Sequence, residues 1–193
     1  MTTICLVRHG ETDWNAIERL QGRTDIPLNQ TGINQAEECG EFLKHQKWDV
    51  IVTSPLQRAK QTAQIINKQI LALVMEMGEF IERSFGDAEG MLPEERDHLF
   101  PNGDYPNQED RQALRERVVS GIQEINQRFK NKKVLLVAHG VVINTILYEF
   151  SNGEIGTEKT YLINACISNI EFKDNSGKII NYNQVEHLSA FRE

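Results

Sequence analysis

Residues 4–10 read ICLVRHG, and residues 134–140 read VLLVAHG. Each stretch is a short continuous run of apolar residues that leads into a histidine followed by a glycine. Unbroken apolar runs of this length are typical of strands covered on both faces, as in a largely parallel sheet. The two stretches therefore predict two buried strands, each with a histidine at its carboxyl end.

The remaining sequence alternates between strand and helix patterns. Residues 50–53 (VIVT) form a third apolar run, and Ser54, Pro55 and Gln57 after it resemble an N-cap, a proline at the first helical position and a capping-box glutamine. A helix is therefore predicted to begin at Pro55. Apolar residues spaced by three and four predict further helices at about 31–45, 109–129 and 141–150.

The C-terminal part of the chain has a different pattern. Two β-like segments, 166–172 and 178–184, flank the turn sequence at 174–177 and predict a hairpin. With the alternating strands and helices, this predicts an α/β three-layer sandwich with a mostly parallel central sheet and helices on both faces. A length of 193 residues predicts a single domain over 1–193. Residues 86–107 fit neither period, so we expect an irregular cap over the active site.

Composition limits the possible partners. The formal net charge is −7, which disfavours binding to nucleic acid or to an anionic membrane surface. No segment approaches the length of a membrane span, and the N-terminus lacks the pattern of a signal peptide. Three cysteines, none in a metal-binding spacing, favour reduced thiols in the cytoplasm. We expect a monomer or a homodimer.

Basic side chains follow the predicted strands at their carboxyl ends. Arg8 and His9 follow the first run, and His139 follows the VLLVA run. Arg58 lies in the first turn of the helix after the third run. Ligands of open α/β sheets bind at this edge. Two imidazoles, two guanidiniums and nearby helix N-termini therefore predict a site for a tetrahedral dianion.

A histidine among arginines suits phosphoryl transfer. Its ordinary pKa leaves a neutral ring nitrogen available near pH 7, and guanidiniums can stabilise the oxygens of the transferring group. The leaving alkoxide needs a proton, so a carboxyl group with a raised pKa is expected beside the nucleophile. A zinc site at His9, His139 and Glu82 is disfavoured because the adjacent arginines would repel the cation. We expect no metal and no cofactor.

Four stretches, in order, resemble the motifs of the histidine phosphatase superfamily, to which the cofactor-dependent phosphoglycerate mutases are related. They are LVRHGET at 6–12 with the nearby WN and LQG, TSPLQRAKQTA at 53–63, IERSFGDAEG at 81–90 and AHG at 138–140. Together they extend from the first strand to about residue 142. The resemblance implies a phosphoglycerate mutase-like fold.

The resemblance also implies roles for individual residues. His9 would become phosphohistidine, and Glu82 would act as general acid and then as general base. Arg8, Arg58 and His139 would complete the catalytic set by binding the transferring phosphoryl group. The residues implied to bind the substrate are Arg8, Asn15, Gln21, Gly22, Arg58 and His139.

Two departures from the family pattern bear on the reaction. Ala88 stands where relatives often have tryptophan, and Val141 stands where the mutases typically have asparagine. Together with the short chain, Val141 favours a metal-independent phosphatase that hydrolyses small organic phosphate monoesters through phosphohistidine. Mutase-type phosphoryl transfer and a catalytically vestigial binding module remain alternatives. The partner is expected to be a small phosphorylated metabolite, whose identity the sequence leaves open.

Overall fold

The computed structural model describes residues 1–157 and 159–192. Six strands form one sheet in the order β3-β2-β4-β1-β5-β6. The strands are β1 (Thr2–Arg8), β2 (Val50–Thr53), β3 (Leu73–Glu76), β4 (Lys133–Ala138), β5 (Ile167–Lys173) and β6 (Ser176–Gln184). The α-helices are α1 (Asp13–Ala16), α2 (Gln30–Leu43), α3 (Gln57–Ile70), α4 (Pro93–Leu99), α5 (Arg111–Arg128) and α6 (Gly140–Phe150).

The sheet is mostly parallel, as the sequence predicts. Strands β3, β2, β4 and β1 run parallel, whereas β5 pairs antiparallel with β1 and β6 pairs antiparallel with β5. The C-terminal hairpin therefore extends the sheet along one side. Because β1, β2 and β4 are parallel neighbours, their carboxyl ends and the residues that follow them meet at one edge.

The central strands are buried on both faces by helices. Ile4 and Leu6 of β1 belong to the apolar cluster formed with α5 and α6, whereas Cys5 and Val7 belong to the cluster formed with α2 and α3. Successive side chains of a strand point to opposite faces, so a continuous apolar run supplies both clusters. The predicted three-layer α/β sandwich is confirmed.

Helix α3 begins later than its sequence predicts. Its first residue is Gln57 and its N-cap is Leu56, so the predicted start at Pro55 with Ser54 as N-cap is wrong. The Ser54 hydroxyl lies 2.7 Å from Nε2 of His139 and accepts a longer hydrogen bond from the Leu56 amide. The serine is thus positioned by a tertiary contact, and residues 54–56 stay outside the helix.

Strand β3 was not predicted from the sequence. It lies at the edge of the sheet and pairs only with β2, and three of its four residues are exposed. An exposed edge strand of four residues has no clear alternation of apolar and polar side chains. Its position therefore depends on the pairing with β2.

From their composition we expected residues 86–107 to be irregular, but part of this segment is helical. They contain a 3-10 helix, Gly86–Ala88, and the short helix α4. Pro93 occupies the start of α4, and a carboxylate oxygen of Glu95 accepts a 2.6 Å hydrogen bond from the Leu92 amide. Helix α4 has no buried residue, which explains why no helical period is visible in the sequence.

The hairpin turn is shorter than predicted. Strand β6 already begins at Ser176, so the connection after β5 consists of Asp174 and Asn175. Asp174 has a φ of 53°, in the left-handed region that tight hairpin turns require and that aspartate tolerates.

Within the described part of the chain, no helix is long and apolar enough to cross a membrane.

Candidate active site

A cavity of about 470 Å³ opens at the edge where β1, β2 and β4 end. Of the residues singled out in the sequence, all except His139 line it. His139 still belongs to the same cluster, because its ring centroid lies 5.2 Å from that of His9. The predicted residues that line the cavity are Arg8, His9, Asn15, Gln21, Gly22, Arg58 and Glu82.

His9 is held in one tautomer by the backbone. Its Nδ1 lies 2.7 Å from the carbonyl oxygen of Gly10, and the side chain is buried. A carbonyl oxygen can only accept a hydrogen bond, so Nδ1 must carry the proton in this contact. The lone pair is therefore on Nε2, the nitrogen that is available for attack on an electrophile.

The backbone at His9 is fixed by close contacts on both sides. The Gly10 amide donates a 3.0 Å hydrogen bond to Oγ1 of Thr62, and the His9 amide donates a 2.9 Å bond to the carbonyl of Ala138. A Cβ at Gly10 would lie 2.4 Å from the carbonyl oxygen of Gly32 in α2. The glycine after the histidine thus lets the segment that follows β1 approach the start of α2.

Burial and positive charge keep His9 neutral. Its pKa is lowered well below 6.5, first because burial disfavours the charged imidazolium and then because Arg58 and Arg8 repel it. The hydrogen bond to Gly10 opposes this shift to a smaller extent. A neutral imidazole is the nucleophilic form, so the arginines that can bind an anion also maintain the reactive state of His9.

His139 lies beside His9 at the end of β4. It is fully buried, its Nε2 lies 2.7 Å from the Ser54 hydroxyl, and its Nδ1 has no partner. Its pKa is lowered well below 6.5, mainly by burial and then by Arg58. The second imidazole therefore has one ring nitrogen held by the residue that follows β2, whereas the other is buried without a hydrogen-bond partner.

Two arginines present unpaired donors near His9. Arg58 is buried and uses its terminal nitrogens to donate to the carbonyls of Gly22 (2.7 Å) and Thr24 (3.0 Å). Arg8 donates from Nη1 to the carbonyl of Leu162. The Nε atoms of both arginines are buried and have no partner. Buried donors without a partner are costly, so these two are well suited to bind an anion.

Glu82 is the carboxyl group of the cavity. One of its oxygens accepts a 2.9 Å hydrogen bond from the Arg83 amide, and the other accepts a 3.2 Å bond from the Val141 amide at the start of α6. Burial raises its pKa above 4.5, although both amides and Arg58 act in the opposite direction. A raised pKa favours the protonated form of the carboxyl group, which is the form that can donate a proton.

The family assignment follows from the sequence as a whole. The model of the histidine phosphatase superfamily (branch 1) matches residues 4–185. The chain belongs to the histidine phosphatase superfamily.

Named relatives of this histidine phosphatase include two phosphatases. The uncharacterized phosphatase PhoE of Bacillus subtilis (strain 168) is 52% identical over 191 residues, which cover 99% of each chain. The metal-independent phosphoserine phosphatase of Arabidopsis thaliana is 30% identical, and the alignment covers 98% of this chain and 84% of the relative. The chain is therefore an enzyme that hydrolyses phosphate monoesters.

A solved structure supports the same fold. The phosphoserine phosphatase of Entamoeba histolytica, determined as a mutant in complex with phosphoserine, superimposes with a TM-score of 0.85 at 29% identity. The superposition covers 97% of this chain and all of that chain. The predicted phosphoglycerate mutase-like fold is thus confirmed, and that relative binds a small phosphorylated molecule.

Several residues that position this histidine phosphatase site escaped the sequence analysis. Asn164 donates from Nδ2 to the His9 carbonyl (3.1 Å) and to Oδ1 of Asn15 (3.2 Å), which also accepts from the Thr12 amide. Asn164 precedes β5, far from the motifs in sequence, so no local signal identifies it. Its amide connects the first motif to the hairpin side of the sheet.

Glu89 shapes the loop around Gly22. Its carboxylate accepts hydrogen bonds from the amides of Arg23, Thr24 and Phe85. Gly22 has a φ of 53°, and a Cβ there would lie 2.1 Å from a Glu89 oxygen. Glu89 is thus saturated by loop donors, which distinguishes it from Glu82 as a candidate acid.

Proposed function

We propose that this phosphatase hydrolyses small organic phosphate monoesters without a metal ion, through a phosphohistidine on His9. One observation carries the proposal. Nδ1 of His9 donates its proton to the Gly10 carbonyl, so the free lone pair is on Nε2. His9 lines a cavity that is also lined by Glu82 and by arginines with unpaired donors. Nucleophile, acid and anion-binding groups thus occur together.

In the first step, Nε2 of His9 attacks phosphorus and the bond from phosphorus to the ester oxygen breaks. The departing oxygen takes the proton held by the Glu82 carboxyl group. The raised pKa of Glu82 favours the protonated form that this step needs. The products are phosphohistidine, the free alcohol and an ionised Glu82.

In the second step, water replaces the alcohol. The Glu82 carboxylate takes a proton from the water as its oxygen attacks phosphorus, and the bond from phosphorus to Nε2 breaks. Inorganic phosphate leaves, and both His9 and Glu82 return to their starting states. Arg8, Arg58 and His139 would stabilise the charge on the three non-bridging oxygens in both steps.

Metal independence has two sources of support. The described residues include no group of three or more histidine, cysteine, aspartate or glutamate side chains arranged to hold a metal ion. The name of the Arabidopsis relative states metal independence for that enzyme. In this chain, arginines and a buried histidine supply the positive charge and the donors that a metal would otherwise provide.

The test measures phosphate release from p-nitrophenyl phosphate and a panel of metabolite monophosphates, with EDTA present. We expect turnover by the intact enzyme and a loss of at least about 10⁴-fold in His9→Ala, because the covalent route is removed. His98→Ala is the matched control, since His98 is exposed on α4 and should keep full activity.

A quenched reaction tests the intermediate directly. Intact enzyme mixed with substrate and quenched in base should carry one added phosphoryl group on the peptide that contains His9. Activity that EDTA abolishes would contradict the metal-free route. Transfer between hydroxyl groups in place of net phosphate release would favour a mutase, and a protein inactive on every substrate would favour a binding module.

A further inference from the structure

Two of the arginines that line the cavity take no part in the proposed reaction. Arg19 follows α1, and Arg96 lies in α4. Both line the same cavity as His9 and both are half-buried. We infer that Arg19 and Arg96 form an outer anion subsite, which binds a second acidic group on the alcohol part of the substrate. The inference rests on the proposed function.

Hydrogen bonds hold the two arginines on one wall. The Leu20 amide donates to the Met91 carbonyl at 3.0 Å, and the Gly90 amide donates to the Leu20 carbonyl at 2.8 Å. These bonds join the segment that contains Arg19 to the segment that leads into α4. The two guanidiniums are thus placed by backbone pairing between the first motif and residues 86–107.

Each guanidinium has donors to spare. Arg19 donates from Nη1 to the Gly90 carbonyl at 2.7 Å, and its Cζ lies 5.6 Å from the centre of the Trp14 ring. Arg96 donates from Nη1 to the carbonyls of Met91 at 3.2 Å and Glu18 at 3.4 Å. A guanidinium has five N–H donors, so most of them remain available.

Neither guanidinium has an acidic partner among the described residues, although the chain is rich in carboxylates. By contrast, Arg115 and Arg117 are paired with Glu149 and Glu109 at 2.8 Å and 2.7 Å. Half-buried arginines with only neutral carbonyl partners are suited to bind a carboxylate or phosphate, because such contacts are charge-assisted.

The charge of the cavity differs from that of the whole chain. The chain has a formal charge of −7, yet the arginine and carboxyl side chains that line the cavity are four arginines and only two glutamates. Glu18 at the rim is the acidic group nearest in sequence to Arg19. The lining groups are Arg8, Arg19, Arg58, Arg96, Glu18 and Glu82.

The inner and outer arginines would bind different groups. In the proposed reaction Arg8 and Arg58 bind the phosphoryl group at His9, so an anion at Arg19 and Arg96 must belong to another part of the molecule. A cavity of about 470 Å³ has room for a small metabolite with two acidic groups. A carboxylate and a second phosphate share this chemistry.

The test compares substrates that differ by one acidic group. O-phosphoserine and O-phosphoethanolamine differ only by a carboxylate, and a sugar bisphosphate differs from its monophosphate by a second phosphate. In one of these two pairs, we expect the compound with the extra acidic group to have a kcat/KM at least about tenfold higher than the other compound in the intact enzyme. The favoured pair identifies carboxylate or phosphate as the natural group.

Substitution assigns the preference to the two arginines. Arg19→Gln and Arg96→Gln should each lower the ratio of kcat/KM within the favoured pair by about tenfold, which is the value of one charge-assisted contact. Arg128→Gln is the control, because Arg128 lies outside the cavity in an exposed pair with Glu124, and its ratio should equal that of the intact enzyme.

The inference and the proposed function can fail separately. In one outcome, hydrolysis depends on His9 while the ratio of kcat/KM within each pair is the same in the intact enzyme and in the Arg19→Gln, Arg96→Gln and Arg128→Gln variants. This result would overturn the subsite and leave the proposed function intact. If no compound is hydrolysed, the proposed function fails, and the subsite is tested by calorimetric binding of the same pairs to the His9→Ala variant. Equal affinity for the two compounds of each pair would overturn the subsite. A preference for the more acidic compound that is lost in the His9→Ala, Arg19→Gln double variant would support the subsite.

Discussion

At the scale of single residues, the site depends on how burial changes the protonation of neighbouring groups. Burial lowers the pKa of His9 and raises that of Glu82. The two shifts have opposite signs because burial always disfavours the charged form, which is the protonated form of an imidazole and the ionised form of a carboxyl group. The same cavity is thus lined by an imidazole whose neutral form is favoured and by a carboxyl group whose protonated form is favoured.

Glu82→Gln tests the acid role through the leaving group. We expect kcat to fall by about 10²-fold or more for alkyl phosphates, whose departing alkoxide requires a proton. The loss should be much smaller for the first step with p-nitrophenyl phosphate, because nitrophenolate leaves without one. Rapid-quench measurement of the first turnover with both substrates checks this. Equal losses for both leaving groups would contradict the assignment.

The same substitution should change stability with pH in a defined direction. The pKa of Glu82 is raised in the folded state, so its contribution to stability is complete below its unfolded value of about 4.5 and is lost as pH rises through the folded value. Urea unfolding from pH 4 to pH 8 should show intact enzyme losing stability relative to Glu82→Gln as pH increases. A difference independent of pH would contradict the raised pKa.

At the scale of elements, helix α5 holds the segment that carries Glu82. Arg117 of α5 donates to the carbonyls of Glu79 and Ile81 at 2.7 Å and more weakly to that of Glu82. It also pairs with Glu109 at 2.7 Å. The segment from 79 to 82 is thus fixed by one side chain that satisfies several carbonyls, and the position of Glu82 depends on a helix outside the cavity.

Arg117→Gln is expected to affect both stability and catalysis. Loss of these bonds should lower the free energy of unfolding by about 2 kcal/mol, because several partly buried acceptors lose their partner at once. It should also lower kcat by at least about tenfold, because Glu82 loses its precise position. Urea unfolding and steady-state kinetics measure the two effects.

Arg128→Gln on the same helix is the control for the stability measurement. Its pair with Glu124 is exposed, with 3.7 Å between the nitrogen and the oxygen, so the change should be within about 0.5 kcal/mol. An Arg117 variant that is as active and as stable as this control would show that other contacts position the segment.

At the scale of the whole molecule, the sheet and its two helical layers enclose all three cysteines. Cys5, Cys39 and Cys166 are buried with free thiols, and burial raises the pKa of Cys166 to about 12 and those of the other two above their usual values. The reactive species of cysteine is the thiolate. All three cysteines are therefore small core residues whose thiols are held in the unreactive protonated form.

Thiol labelling measures the integrity of this core. Ellman's reagent should label three thiols in urea and essentially none in the native enzyme at pH 8 over the same interval, because the thiols are inaccessible and protonated. Destabilised variants such as Arg117→Gln should react faster, by about tenfold for each 1.4 kcal/mol of stability that they lose. Fast labelling of the intact native enzyme would show that the core opens more readily than its packing indicates.

The sequence by itself determined the central strands and most of the site. ICLVRHG and VLLVAHG predict buried parallel strands because a strand covered on both faces needs apolar residues at successive positions, and parallel pairing places His9 and His139 at one edge. The position of Arg58 after the third strand added a guanidinium, and the motif resemblance added Glu82, which lines the same cavity as His9. These features are readable because each depends on residues close together in the chain.

Only the tertiary structure decided the features that depend on contacts between distant residues. Strand β3, the late start of α3, Asn164 behind His9 and the pairing of Arg19 with the α4 region have no local signal. The protonation states of His9 and Glu82 also depend on burial among several elements. Local sequence specifies which residues carry the chemistry, whereas packing brings them into one cavity and sets their charge, because desolvation requires the whole fold.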